Sequence, residues 1–132
     1  MARDTVFISF DYDNDRHYKN LLVAWDKNKE FDFEIYDGSL KEPINSTNAA
    51  YIKTKIKPKI LAASKLLCII GNETAMSDWI DWEIKTAVEN NKKLIGVKIE
   101  KGNTTPTRLL ANNAKWALSF NFDAIKKAVA ES

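Results

Sequence analysis

The segment SDWIDWEIKTAVEN, residues 77–90, combines a helical pattern with a carboxylate that could do chemistry. At 100° per residue its apolar side chains form one face, and Glu83 falls at the edge of that face. Trp79 precedes Glu83 by one turn and is expected to pack beside it. The pattern predicts a helix that holds a half-buried carboxylate. The apolar residues of this face are Ile80, Ile84, Ala87 and Val88.

A half-buried carboxylate has two ordinary uses. Its attraction to a cation is stronger in a low local dielectric, which favours a role in reactions that develop positive charge. A carboxylate at the edge of a helix is also a common salt-bridge partner. The helix pattern alone leaves both interpretations open.

A second acidic group follows the first apolar run, in DYDNDRHYKNLL, residues 11–22. The alternating Asp11, Asp13 and Asp15 resemble the start of a calcium loop. The sixth position is Arg16, where the sharp turn needs glycine, and the twelfth is Leu22, where a bidentate glutamate is needed. We therefore expect these residues to cap the following helix and predict no metal site.

Other chemistry is disfavoured by the residues present. The single Cys68 lies in LLCIIG and is predicted to be a buried small hydrophobe. His17 is the only histidine, so a triad or zinc site built on it lacks partners. No glycine-rich phosphate fingerprint occurs. A phosphoreceiver needs an aspartate after the third strand, where the chain has Gly71 and Asn72.

Composition indicates an ordinary globular domain. The chain has 132 residues and a formal net charge of +2, too small to argue for nucleic acid. No apolar run approaches the roughly 20 residues of a membrane span, and no cleavable leader is recognisable. We expect one cytoplasmic domain over residues 1–132, with no nucleic-acid or membrane partner.

Apolar runs and helical patterns alternate along the chain. Helices are predicted from near Asp15, over residues 48–64 with an interruption or bend at Pro58, around Glu83, and at the C-terminus. The alternation predicts an α/β fold, a three-layer sandwich of five parallel strands in the order 2-1-3-4-5 with helices on both faces. The predicted strands are TVFISF, FDFEIYD, KLLCIIG, KKLIGVKI and KWALSF.

Ligands of such sheets bind at the carboxyl ends of the strands, where the strand order reverses. The reversal is expected between the first and third strands, and the helix with Glu83 begins just beyond it. The residues delivered to this crevice are Phe10, Asp11, Tyr12, Tyr36, Asp37, Gly71 and Asn72.

Four segments together resemble the TIR (Toll/interleukin-1 receptor) superfamily, and in particular the TIR-like proteins of the bacterial Thoeris antiphage defence system. The resemblance covers roughly residues 5–100, and its most specific part is the pattern Ser77, Trp79, Glu83 after a strand ending in Ile-Gly. The segments are TVFISFDYDND, YDGSLKEP, CIIGNETAMSDWIDWEIKTAV and KKLIGVKI.

The resemblance implies a flavodoxin-like fold and cleavage of the nicotinamide–ribose bond of NAD, with Glu83 as the catalytic residue. NAD is then a substrate, and no cofactor is expected. In Thoeris, phage infection triggers a TIR-like protein to make a cyclic ADP-ribose isomer that activates a separate effector. The resemblance also implies self-association on activation and a phage-derived trigger.

The chemistry fits a single carboxylate. Departure of nicotinamide leaves an oxocarbenium-like ribose, which a nearby carboxylate stabilises. Aromatic rings near the crevice, those of Phe10, Tyr12, Tyr36 and Trp79, are candidates to stack on the substrate and exclude water, although core packing explains Phe10 and Trp79 equally well. Trp82 is expected to be exposed and marks a candidate assembly surface, unless the loop after Lys101 covers it.

The full set of predicted substrate-binding residues is Phe10, Asp11, Tyr12, Tyr36, Asp37, Ser39, Asn72, Ser77 and Trp79. Asp37 and Ser39 belong to a loop that family members use for substrate access, although a simple DGS turn explains them too. Two alternatives to an NAD-consuming enzyme stay open. One is a non-catalytic TIR-like interaction module, and the other is a nucleoside N-glycosidase or deoxyribosyltransferase.

Overall fold

A computed structural model describes residues 5–27, 34–36 and 49–132 of the chain. Strands and helices alternate through these residues. In chain order they are β1 (Thr5–Ser9), α1 (Tyr12–Lys27), β2 (Glu34–Tyr36), α2 (Ala49–Ala62), β3 (Lys65–Ile70), a 3₁₀ turn (Thr74–Met76), α3 (Asp78–Glu89), β4 (Lys93–Lys98), α4 (Thr107–Leu110), β5 (Lys115–Ala117) and α5 (Phe122–Glu131).

The strands form one sheet in the order β2-β1-β3-β4-β5, and every neighbouring pair is parallel. The predicted α/β class and parallel sheet are confirmed. The order reverses between β1 and β3, where Ser9 pairs with Cys68 in the register of the two strands. A ligand crevice is predicted at this point of the sheet.

Each face of the sheet is covered by helices, because alternate residues of the buried strands point to opposite sides. Val6 and Ile8 of β1 pack with residues of α1 and α5, on what we call the α1/α5 face. Phe7 of β1 and Cys68 of β3 pack with residues of α2 and α3, on the α2/α3 face. The three layers predicted from the sequence are therefore present.

The start of α3 is fixed by its own sequence. The Ser77 hydroxyl accepts a hydrogen bond from the backbone N–H of Ile80 at 3.2 Å, which is the geometry of an N-cap. Asp78 and Asp81 lie in the first turn, where negative charge is favourable. Ile80 and Ile84 face the sheet and are almost completely buried.

Several predicted boundaries are wrong. Helix α1 begins at Tyr12, before Asp15, and the backbone carbonyl of Asp11 accepts the first helical hydrogen bond from Asp15 N at 2.7 Å. Three nearby aspartates can each cap a helix, so the sequence could not select among them. Helix α2 continues through Pro58, so of the predicted interruption or bend the interruption does not occur, and β5 ends at Ala117 rather than at residue 120.

None of the helices in the described residues has both the length and the apolar character that a membrane crossing requires.

Gly96, in the middle of β4, gives a test of how tightly this sheet is packed. A methyl group at this position would lie 2.5–2.7 Å from ring carbons of Trp116 and 3.3 Å from Ile70 Cδ1. We expect Gly96→Ala to lower the free energy of unfolding by about 1–3 kcal/mol, the usual cost of overpacking. Chemical denaturation of Gly96→Ala, Trp116→Leu and the double variant measures this. A double variant that recovers none of the loss contradicts the ring contact as the cause.

Candidate functional site

Glu83 enters the interface between α3 and the sheet. Its side chain is only 4% exposed, and Oε1 accepts a hydrogen bond of 2.8 Å from the hydroxyl of Ser9, which is itself completely buried. The expectation of a half-buried carboxylate is therefore wrong. A helical projection places Glu83 at the edge of the apolar face, but it cannot reveal that β1 supplies a hydroxyl there.

Burial changes the proton affinity of Glu83. Loss of hydration raises its pKa from 4.5 to about 8, while hydrogen bonds from Ser9 and Trp79 act in the opposite direction. In the described part of the chain no lysine or arginine forms an ion pair with it. The salt-bridge interpretation thus has no support there, and at pH 7 the unliganded carboxyl group is mostly protonated.

A neighbouring carboxylate of α3 shows the contrast. Asp81 is exposed and receives two hydrogen bonds from the Arg108 guanidinium, at 2.8 and 3.0 Å. These bonds hold the pKa of Asp81 below its ordinary value. Asp81 therefore forms an ordinary surface ion pair with Arg108, whereas the carboxyl group of Glu83 is buried against an apolar interior.

Two further residues of the predicted pattern have visible structural roles. Trp79 is half-buried against the core of the α2/α3 face, and it also hydrogen bonds to Glu83. Ser77 acts as the N-cap of α3. The spacing of Ser77, Trp79 and Glu83 therefore starts the helix, packs its first turn and orients the carboxyl group.

The prediction that Trp82 is exposed is wrong. It is half-buried beside α2, with its ring 5.4 Å from the Trp79 ring and with Lys53 Nζ 5.4 Å from its centroid. Residues of α2 line the apolar hollow beside it.

Cys68 lies near both buried carboxyl groups of the site. It is free and completely buried, and burial followed by the charges of Glu83 and Asp15 raises its pKa strongly. A thiol in this state is a poor nucleophile. Cys68 therefore packs as a small hydrophobe, as the sequence predicts.

The second buried carboxyl group, Asp15, approaches β3 from α1. It is 5% exposed, and a Cβ on Gly71 would overlap its carboxylate, so glycine is required at the end of this strand. Thr74 Oγ1 lies 3.5 Å from Asp15 Oδ2. Burial and the nearby charge of Asp11 raise the pKa of Asp15 from 3.8 to about 6.

A polar cavity of about 400 Å³ opens beside Asp15. At its wall Asn103 donates to Asn72 Oδ1 at 3.0 Å and accepts from the backbone N–H of Glu100 at 2.8 Å. The described residues that line it are Asn14, Asp15, His17, Tyr18, Gly71, Asn72, Glu73, Ile99, Glu100 and Asn103.

The other predicted site residues divide into groups. Phe10 is 9% exposed and packs in the core of the α1/α5 face, away from the face that carries Glu83. Asp11 Oδ2 accepts a 2.7 Å hydrogen bond from Asn14 Nδ2, which makes an equally short bond to Glu73. Tyr12 begins α1 and Tyr36 ends β2. Asp37 and Ser39 lie outside the described residues.

Sequence reasoning missed Ser9, Asp15, Thr74 and Asn103 as site residues. Only Ser9 carried a usable signal, because alternation along TVFIS places its side chain with Phe7, opposite Val6 and Ile8. Among the residues that the structure describes, no group of three or more His, Cys, Asp or Glu side chains is placed to hold a metal ion.

The buried acid predicts a pH-dependent stability difference. Between pH 4.5 and about 8 the folded chain holds the Glu83 proton that the unfolded chain has lost, so stability falls as pH rises through this range. Glu83→Gln removes the cost and keeps an acceptor for Ser9. We expect Glu83→Gln to be more stable than the parent at pH 9 by on the order of a few kcal/mol, with a smaller difference at pH 5.

Thermal and urea unfolding at both pH values measure this difference. The matched control is Glu89→Gln, an exposed glutamate of the same helix. An equal effect of the two substitutions at pH 9 contradicts the burial of an ionisable Glu83.

Comparison with solved structures supports the fold. A CMP N-glycosidase of Clostridium botulinum, BcmB, superposes with a TM-score of 0.62 and 16% identity, over 97% of each chain. The TIR domains of the activated Roq1 resistosome, which directly recognises the pathogen effector XopQ, give a TM-score of 0.51 and 15% identity, over 83% of this chain and 72% of that one. At these identities the likeness shows a shared fold.

No match is found among the curated proteins. A family model, described as the TIR-like domain of the Thoeris protein ThsB, matches residues 7–104. These residues include the last three residues of β1, all of β2, β3 and β4, and the buried carboxyl groups of Asp15 and Glu83. The chain therefore belongs to the family of Thoeris ThsB TIR-like domains.

Proposed function

We propose that this protein cleaves the N-glycosidic bond between nicotinamide and ribose in NAD, with Glu83 as the catalytic carboxylate. The observation that carries the proposal is the position of Glu83, buried on α3 and hydrogen bonded to Ser9 at the carboxyl end of β1. This is the edge of the sheet where parallel α/β folds bind their ligands.

The reaction needs little besides this carboxylate. Nicotinamide leaves with the electron pair of the glycosidic bond and becomes neutral, while the ribose carbon becomes an oxocarbenium-like cation. Ionised Glu83 stabilises that cation strongly because its surroundings have a low dielectric. Attack by water then gives ADP-ribose and a proton, and attack by a hydroxyl or ring nitrogen of the same molecule gives a cyclic product.

The substrate can supply the positive charge that the described protein neighbours of Glu83 do not. The pyridinium ring of NAD is a cation, and a cation next to Glu83 lowers the pKa of this carboxyl group. Binding should therefore release a proton and leave Glu83 ionised for the reaction. A site with no cationic neighbour in the described residues suits a substrate that carries its own positive charge.

We further propose that the product is a cyclic ADP-ribose-type signal made in antiphage defence, and that self-association or a phage-derived trigger activates the protein. Family membership supports this proposal. The half-buried ring of Trp79 beside Glu83 would help to exclude water from the cation, which favours internal attack over hydrolysis.

A second candidate is cleavage of a pyrimidine nucleotide. It is favoured by the likeness to the CMP N-glycosidase, which extends over 97% of both chains. Cytosine is a neutral and poor leaving group, so this reaction calls for a proton donor, and protonated Glu83 would serve as one. The third possibility, a non-catalytic interaction module, predicts no turnover of either substrate.

Turnover by the purified full chain tests these candidates. We expect loss of NAD, measured by mass spectrometry at high protein concentration with and without lysate of phage-infected cells, and a fall of at least about 10³-fold in Glu83→Gln. CMP is assayed in parallel, and Glu89→Gln is the control. Intact NAD under every condition rejects the proposal, and cleavage of CMP alone selects the second candidate.

The direction of the pH dependence separates two roles of Glu83. If NAD is cleaved by the ionised form, kcat/KM rises tenfold per pH unit below about 8 and levels off above it, because kcat/KM reports the free enzyme. If CMP is cleaved with Glu83 as the acid, kcat/KM falls as pH rises through the same range. A profile that is flat from pH 6 to 9 contradicts both roles.

A further inference from the structure

We propose that the polar cavity beside Asp15 is a second nucleoside-binding site, in which Asp15 accepts a hydrogen bond from a ribose hydroxyl of the adenosine half of NAD. The inference deepens the proposed function and rests on it for the identity of the dinucleotide. It assigns the non-reacting half of the substrate to residues of α1, β3 and the segment after β4.

The position of the cavity fits a ligand that spans the sheet edge. Glu83 reaches the end of β1 from α3, on the α2/α3 face, whereas Asp15 reaches Gly71 at the end of β3 from α1. The charges of both carboxyl groups act on the Cys68 thiol. A molecule that contacts both must cross the crevice between β1 and β3, and a dinucleotide has the two nucleosides needed to do so.

The size of the cavity fits one nucleoside. Its volume of about 400 Å³ lies within the range of roughly 300–1,000 Å³ that is usual for small-molecule sites. We assign one nucleoside to this cavity, so the other half of the dinucleotide lies outside it, toward Glu83.

Asp15 is a buried acceptor whose bonding capacity is unfilled. Its carboxylate faces the cavity, and in the part of the chain that the structure describes, Oδ1 receives no hydrogen bond. Oδ2 has only the Thr74 hydroxyl at 3.5 Å. That hydroxyl has a single proton and lies closer, at 3.2 Å, to the carbonyl of Ile69. Buried polar atoms are rarely left in this state unless a ligand or water completes them.

The chemistry of the cavity wall selects a neutral ligand that donates hydrogen bonds. Asp15, Glu73 and Glu100 contribute carboxylates, and no lysine or arginine is among the described lining residues. Phosphate is repelled by such a wall, so the pyrophosphate should stay outside. Ribose hydroxyls and the adenine amino group are donors, and the rings of Tyr18 and His17 offer surfaces for a base.

The stability cost of a buried, ionised Asp15 supports a ligand-binding role for this carboxylate. Its pKa is about 6 in the folded chain and 3.8 ordinarily, so at pH 8 the folded chain carries a buried charge at a cost to stability. Asparagine is nearly isosteric and avoids that cost. We therefore expect Asp15→Asn to fold, with an unfolding midpoint at pH 8 equal to or above that of the parent.

The first test is calorimetric titration of the full chain with adenosine at pH 8. We expect saturable binding that is weakened at least about tenfold in Asp15→Asn, since a hydrogen bond to a charged acceptor is stronger than one to a neutral acceptor. The exposed control Asp123→Asn should bind adenosine as the parent does. Asn72→Leu, a change at an exposed residue of the cavity, is a second variant and should also weaken binding.

The second test compares NAD with nicotinamide mononucleotide, which contains only the reacting half. We expect Asp15→Asn to raise KM for NAD about tenfold and to leave the mononucleotide unchanged, whereas Glu83→Gln loses both activities.

The outcomes separate the two proposals. Absence of adenosine binding, or equal binding by the parent and Asp15→Asn, overturns the second site even if NAD is cleaved. Adenosine binding that depends on Asp15, in a protein that cleaves no NAD under any condition, supports the site and rejects the proposed reaction.

Discussion

The hydrogen bond between Ser9 and Glu83 is the contact on which the candidate site depends. It joins the carboxyl end of β1 to the first turns of α3, where water is excluded and each polar group must find a partner. Ile80 and Ile84 pack the same face of α3 against the sheet, and they hold the carboxyl group at a depth where, among the described residues, Ser9 and Trp79 hydrogen bond to it. The burial that orders the helix therefore also sets the proton affinity of Glu83.

Two buried acids flank the end of β3, and their environments differ. Glu83 loses almost all hydration and gains two donors, and its pKa rises to about 8. Burial and the neighbouring carboxylate of Asp11 raise the pKa of Asp15 to about 6, while its weaker contact with the Thr74 hydroxyl acts in the opposite direction. At neutral pH one group is mostly protonated and the other mostly ionised, although neither has a lysine or arginine partner in the described residues. Burial of each carboxyl group without a cationic partner lowers the stability of the folded chain. Such a cost is common where a site binds a ligand.

Much of this arrangement follows from the sequence, for physical reasons. The apolar runs of β3 and β4 and the helical spacing of α3 reflect burial against a sheet, so fold class and the location of Glu83 could be predicted. The depth of Glu83 could not, since it depends on a hydroxyl 74 residues away in the chain. Local preference predicts Asp15 as a cap because aspartate is favoured at helix starts, whereas its burial follows from the close approach of α1 to Gly71. Phe10 follows β1 directly, at the strand end that borders the crevice. Its side chain nevertheless packs on the α1/α5 face, opposite the α2/α3 face that carries Glu83.

The turn after β3 connects the two acids structurally. The Thr74 hydroxyl accepts from Gly71 N at 2.8 Å, contacts the Ile69 carbonyl and reaches toward Asp15. The same turn runs directly into Ser77, the cap that starts α3 and thereby sets the rotation of Glu83 about the helix axis. A ligand group that replaces Thr74 as the partner of Asp15 would leave the other bonds of this hydroxyl intact, because they lie within the turn itself. The binding of one half of a substrate at Asp15 is therefore compatible with a Glu83 that stays fixed on α3 by the Ser77 cap.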